Sequence, residues 1–235
     1  MCIIMSKPAG VNFPSMNTLH NCWERNPHGA GYAVADGGTV YIRKGFMTWD
    51  EFIGGINFDA LIDKACVFHF RFATHGSTSP GNCHPFPVGG NLKRQKTRTD
   101  VAIAHNGIVR DVPITKKDYS DTMSYIEKRI VPYWQECKEH GRYMYSIPTN
   151  QKVLLDETGS KWSFLYPNGK IFNIGTGIMQ GGIWYSNAGF LPATRGGGAC
   201  RPILRRKASE AGQCIYVDPT GLVSPIRRAG DNIPF

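Results

Sequence analysis

The spacing of apolar positions changes several times along the chain, and each change marks an element. Residues 2–5, Cys-Ile-Ile-Met, form an apolar run closed by Lys7 and Pro8, which predicts a short buried strand. Over 15–25, Met16, Leu19, Cys22 and Trp23 recur at helical spacing behind Ser15, a natural N-cap. Asn26-Pro27-His28-Gly29 ends that helix with turn chemistry. Strands are predicted over 30–35 and 39–44, joined at Asp36-Gly37-Gly38. Thr48 and Glu51 make a capping box for a second helix that fades at Gly54-Gly55.

The run 65–72 is apolar enough for a strand buried on both faces, with Arg71 at its C-terminal end. Residues 74–87 hold the Gly, Ser, Thr and Pro of a loop, and 93–98 form a basic hairpin tip. A strand over 101–104 runs into His105-Asn106-Gly107. Ser120 caps the longest predicted helix, 121–138, whose apolar stripe is Met123, Ile126, Ile130 and Trp134. Further strands are expected at 153–155, 162–166, 171–174 and 183–186, with tight turns at 156–159 and 167–170. After Gly189 the chain turns Gly- and Arg-rich without periodicity, and an extended or partly disordered segment is expected. Strands early and late with helices between them suggest sheets covered by helices, not a parallel winding.

Composition narrows the classes. With 235 residues and 41% hydrophobic content the chain can bury a proper core. No apolar run approaches the roughly 20 residues needed to span a bilayer, so no membrane partner is expected. Residues 1–5 are too short for a signal-peptide core. Seven cysteines, an odd count with no CxxC pair, fit reduced thiols and a cytoplasmic location. The formal charge of +9 reads as a soluble basic surface, and without a recognisable motif nucleic acid is not an expected partner.

The chemistry begins at Cys2. If Met1 is removed, the thiol lies beside its own α-amine, which titrates near ~8 and can act as its base. Met1-Cys2, the 25–31 segment Arg-Asn-Pro-His-Gly-Ala-Gly, the 71–76 segment Arg-Phe-Ala-Thr-His-Gly, Asn82-Cys83-His84-Pro85, His105-Asn106-Gly107 and Ser120-Asp121-Thr122 follow in this order. Together they resemble the glutaminase domain of the class II, N-terminal-nucleophile glutamine amidotransferases, over residues 2–187.

That resemblance implies an α+β fold, a four-layer αββα sandwich of the N-terminal-nucleophile hydrolase type. It implies a glutaminase domain over 1–189, with 190–235 as a basic Gly/Arg-rich extension. It further implies hydrolysis of L-glutamine to glutamate and ammonia, which in most relatives a second domain or subunit consumes; for this chain a separate ammonia-accepting synthetase subunit is the expected partner. Cys2 would be the nucleophile forming a γ-glutamyl thioester, and Asn106 and Gly107 the oxyanion hole. Arg71 would clamp the α-carboxylate with help from Thr74 and His75, Asp121 would take the α-ammonium, and Arg25 would give support. The 25–31 segment departs from the Arg-Gly-Pro-Asp form of many relatives, with Asn26 and His28 in place of Gly and Asp. Neither metal nor cofactor is implied; Cys83 and His84 have no further ligands at zinc-like spacing. Two alternatives stay open: an amidase on other γ-glutamyl amides, and a silent binding module that uses its basic tail.

Overall fold

The computed structural model describes residues 2–73 and 78–192. Contacts group the chain into Met1–Ala193 and Thr194–Phe235, so every described residue lies in the first unit. The Gly- and Arg-rich stretch from residue 193 onward lies outside the described residues.

Two antiparallel sheets form the body. The larger has seven strands in the order β10-β11-β1-β4-β2-β3-β6: Ile178–Gln180, Ile183–Tyr185, Ile3–Lys7, Cys66–Phe70, Ala30–Asp36, Thr39–Phe46 and Lys96–Thr99. The smaller has four, β5-β7-β8-β9: Phe86–Pro87, Ala102–Asn106, Lys161–Leu165 and Ile171–Ile174. Every pairing between neighbours is antiparallel.

Strand alternation sorts the side chains into layers. In β1, Ile3 and Met5 join one apolar cluster with Leu19 and Trp23 of α1 (Met16–Arg25) and Phe52 of α2 (Trp49–Gly54). Ile4 points the other way, joining Ala33, Val40, Ile42 and Val67 against Ala102, Ala104 and Leu165 of the smaller sheet. The alanines on both faces let the sheets approach closely. On the far side, Ile103, Trp162 and Phe164 meet Met123, Ile126, Ile130, Cys137 and Leu154 of the later helices. Helix, sheet, sheet, helix is therefore the order of layers, the αββα sandwich that the motifs imply.

The caps read from sequence form as expected. Ser15 accepts from the Thr18 N–H, Thr48 and Glu51 complete their box, and Ser120 accepts from the Met123 N–H. The long helix runs through α3 (Asp121–Tyr125), a π-helical turn (Ile126–Ile130) and α4 (Val131–Glu139). One expectation is overturned: 153–155 is not a strand but part of α5 (Pro148–Thr158). Pro148 opens that helix and Gly159, at φ 59°, ends it left-handed, so 156–159 is a helix end and not a hairpin turn. The basic run also differs from a simple tip, since Lys96–Thr99 forms edge strand β6 on β3.

Candidate functional site

The ends of β1, β4 and β7 meet at one edge of the sandwich. Ile3 pairs with Phe70, so the next step of the antiparallel register sets Cys2 beside Arg71. The Cys2 Sγ accepts from the Phe72 N–H at 3.3 Å. Its carbonyl accepts from Asn187 Nδ2 at 2.7 Å, while Asn187 Oδ1 accepts from the Gly189 N–H at 2.9 Å. Burial pushes the thiol up from its ordinary value; the Phe72 N–H and the Arg71 guanidinium pull it back only in part. At neutral pH the resting group is a thiol and needs a base to attack.

Arg71 is 4% exposed, and its backbone is held on both sides. Its N–H donates to the Gly29 carbonyl at 2.8 Å, and its carbonyl accepts from the His28 N–H at 3.0 Å. His28 also accepts from the Ala73 N–H at Nδ1, 2.9 Å, and stacks on Phe72 with centroids 4.8 Å apart. The Asn-Pro-His turn thus grips the chain over 71–73, just past the end of β4. Gly31 is needed close by, because a Cβ there would lie 2.4 Å from the His84 carbonyl. Thr74 and His75 lie outside the described residues. Arg25 is exposed in the last turn of α1, where its charge opposes the burial-driven rise of the Cys22 thiol to about 12.

Asn106 is 6% exposed and donates from Nδ2 to Ser186 Oγ at 2.9 Å. The same hydroxyl oxygen accepts from the Ile4 N–H at 2.9 Å, and the Ser186 N–H donates to the Ile4 carbonyl at 2.9 Å. One buried serine therefore couples the amide of Asn106 to the strand that carries Cys2. Sequence reasoning placed Ser186 at a strand end and gave it no role. Gly107, at φ 156°, packs so tightly that a Cβ would lie 2.1 Å from Ser160 Oγ. Asp121 accepts from the Val109 N–H at Oδ2, 2.7 Å, which fastens the loop after Gly107 to the start of α3.

Behind this edge His69, His84 and His105 are buried together, with centroids 4.2 Å apart for His69–His84 and 6.3 Å for His84–His105. His69 Nε2 donates to the His105 carbonyl at 3.0 Å, pinning one sheet to the other, and this fixes its tautomer. Burial lowers His69 to about 3 and holds His84 well below its ordinary value. It takes His105 to about 4 against the pull of Asp121. All are neutral imidazoles at physiological pH. Lys44, likewise buried, is pushed down by desolvation and donates to the Leu92 and Gly81 carbonyls at 2.6 and 3.1 Å. Among the described residues no His, Cys, Asp and Glu group could hold a metal ion, and no helix is long and apolar enough to cross a membrane.

A thiol, a guanidinium at a strand end, a tethered side-chain amide and a glycine N–H lie around one edge, a set of groups whose chemistry suits acyl transfer. No protein-family model matches the chain. It is 29% identical over 89 residues to a glutamine–fructose-6-phosphate aminotransferase (isomerizing) of Pyrococcus horikoshii, 38% of this chain and 14% of that protein. It is 26% identical over 106 residues to the enzyme of that name from Mycobacterium tuberculosis, 44% of this chain and 16% of that one. The matched stretch is thus a small part of those relatives. Among solved structures, a glutamine phosphoribosylpyrophosphate amidotransferase from B. subtilis matches at 17% identity and TM-score 0.42, covering 79% of this chain and 41% of that one. An allosteric regulatory enzyme of purine biosynthesis matches at 17% identity and TM-score 0.44, covering 74% and 35%.

Proposed function

We propose that this chain, a homologue of the class II glutamine amidotransferases, hydrolyses the side-chain amide of L-glutamine with Cys2 as the nucleophile. The observation that carries the reading is the Ser186 coupling: the Asn106 amide is anchored to β1 two residues beyond Cys2.

Once Met1 is gone, the free amine of Cys2 takes the thiol proton and the sulfur attacks the glutamine amide carbon. The second N–H of Asn106 Nδ2, left over by Ser186, and the Gly107 N–H face the oxygen that gains charge. The carbon–nitrogen bond breaks as the ammonium of Cys2 returns the proton, and ammonia leaves a γ-glutamyl thioester. Water then attacks that thioester, releasing glutamate and restoring the thiol. Arg71 takes the substrate α-carboxylate, and Asp121 keeps acceptor capacity for the α-ammonium beyond its bond to Val109. His28 sets where the segment bearing Thr74 and His75 departs, and Arg25 flanks the same turn.

These groups read only the amino-acid end of a substrate, so other γ-glutamyl amides belong in the assay. Ammonia would pass to an acceptor enzyme or subunit. The test is ammonia release from glutamine by wild type, Cys2→Ala and Asn106→Ala, with intact-mass analysis of Met1. Removal of Met1, turnover by wild type and loss in both variants are expected. Retained Met1 with undiminished turnover would overturn the mechanism. The role of the C-terminal stretch is probed by ending the chain after Pro192 and not after Gly189, because Phe190 is buried and stacks on Tyr185 with centroids 3.9 Å apart. Turnover is expected to survive that cut.

A further inference from the structure

The loop that follows Asn106-Gly107 does two jobs. Its Val109 N–H holds Asp121, and residues 109–113 then form one wall of a cleft of about 510 Å³ on the helical side. That volume suits a small organic ligand. Three cations, Arg110, Lys128 and Arg129, line the cleft against two carboxylates, Asp111 and Glu157. Arg129 is already neutralised by Glu157 at 3.3 Å, and Glu157 also accepts from the Tyr125 hydroxyl at 2.8 Å. Arg110 and Lys128 form no ion pair among the described residues.

Exposed cations line many clefts without purpose, but both walls here have unusual backbone. Asp111 is held at φ 59°, a left-handed conformation uncommon for residues with side chains, although Asp is one of the few that tolerate it. Lys128 and Arg129 sit on the π-helical turn Ile126–Ile130, a geometry that gathers at functional sites. Pro132, with no N–H to continue the ladder, gives that turn a local cause. The consequence is a widened helix that sets two successive cations against the cleft.

We propose that this cleft binds a small organic anion, a phosphate ester or carboxylate, between Arg110 and Lys128. Occupancy is felt at the reacting end through the Val109–Asp121 bond, so the anion acts as an effector. Binding stands apart from the glutaminase reading, whereas the effector role rests on it.

The test is calorimetric titration of the full chain with inorganic phosphate and with citrate, the two arms separating phosphate from carboxylate preference. Arg110→Gln/Lys128→Gln should weaken binding at least about tenfold, the loss expected for charge-assisted hydrogen bonds. Lys96→Gln/Arg98→Gln, on β6 and outside the lining of this cleft, should leave it unchanged. Cys2→Ala should bind like wild type, so a failed glutaminase reading leaves the binding result legible. In the active enzyme the anion should shift KM for glutamine, and the cleft variant should abolish the shift. No heat from wild type, or equal affinity in the cleft variant, would overturn the site. Binding without a KM shift in an active enzyme would overturn the effector role.

Discussion

The Ser186 hydroxyl accepts from two buried donors, and a change to alanine strands both. The Asn106 amide would then lose its orientation while Arg71 and Asp121 stay in place. Ser186→Ala is expected to lower kcat by about 10- to 100-fold, in the range of a misaligned oxyanion donor, with KM held within about twofold. Ser186→Thr, which keeps the oxygen, should recover part of the loss. Steady-state kinetics on glutamine decide it: a loss confined to KM would show that Ser186 serves substrate binding and not the oxyanion. Cys2, Arg71, Asn106, Gly107 and Asp121 stood out in the sequence as candidates because each sits inside a motif and the motifs come in order; the roles given to them are part of the proposal. Ser186 carried no such mark. Its partners are 80 and 182 residues away, and a serine at a strand end has no spacing signature. The role of His28 in holding 71–73 was equally hidden, since a histidine in a turn reads as solvated until its stacking partner is known.

At the scale of elements, caps and glycines were the most readable features. Ser15, Thr48 and Ser120 act over three residues, so local sequence contains the whole interaction. The error fell on 153–155, where three apolar residues are too few to distinguish period 2 from period 3.6. In α5 those residues divide by helical face: Leu154 is 1% exposed in the core while Val153 is 58% exposed. Leu154→Ala should therefore cost about 2–5 kcal/mol in urea unfolding, and Val153→Ala less than about 0.5 kcal/mol. A strand with both residues half-buried would give two similar losses. The π-helical turn in the long helix was also unread, although Pro132 was its visible cause. A proline in a strong apolar stripe predicts a disturbance without saying whether the helix kinks, ends or widens.

At the scale of the two sheets together, small apolar residues and polar ties between interior strands hold one against the other. Ser6 bonds Ser163 at 3.0 Å and Asn173 at 2.8 Å, and His69 reaches the His105 carbonyl at 3.0 Å. The imidazoles make this interior sensitive to acid. Folded, His69 takes a proton only near pH 3 and His105 only near 4, against 6.5 for the unperturbed group. Arg71, Lys44 and the neighbouring imidazole add to the burial penalty at His69, while Asp121 offsets part of it at His105. Between those values the unfolded chain binds more protons than the folded one, so falling pH favours unfolding. The stability is fully present above pH 6.5 and drains away as pH falls toward 4 for His105 and toward 3 for His69. From pH 7 to 5 the loss should be about 2 kcal/mol for each of these two histidines. Urea unfolding at the two pH values measures it, and His69→Gln should remove about one histidine's share of the slope. An unchanged slope in that variant would mean that His69 titrates alike in both states, and that the sheets do not close over it.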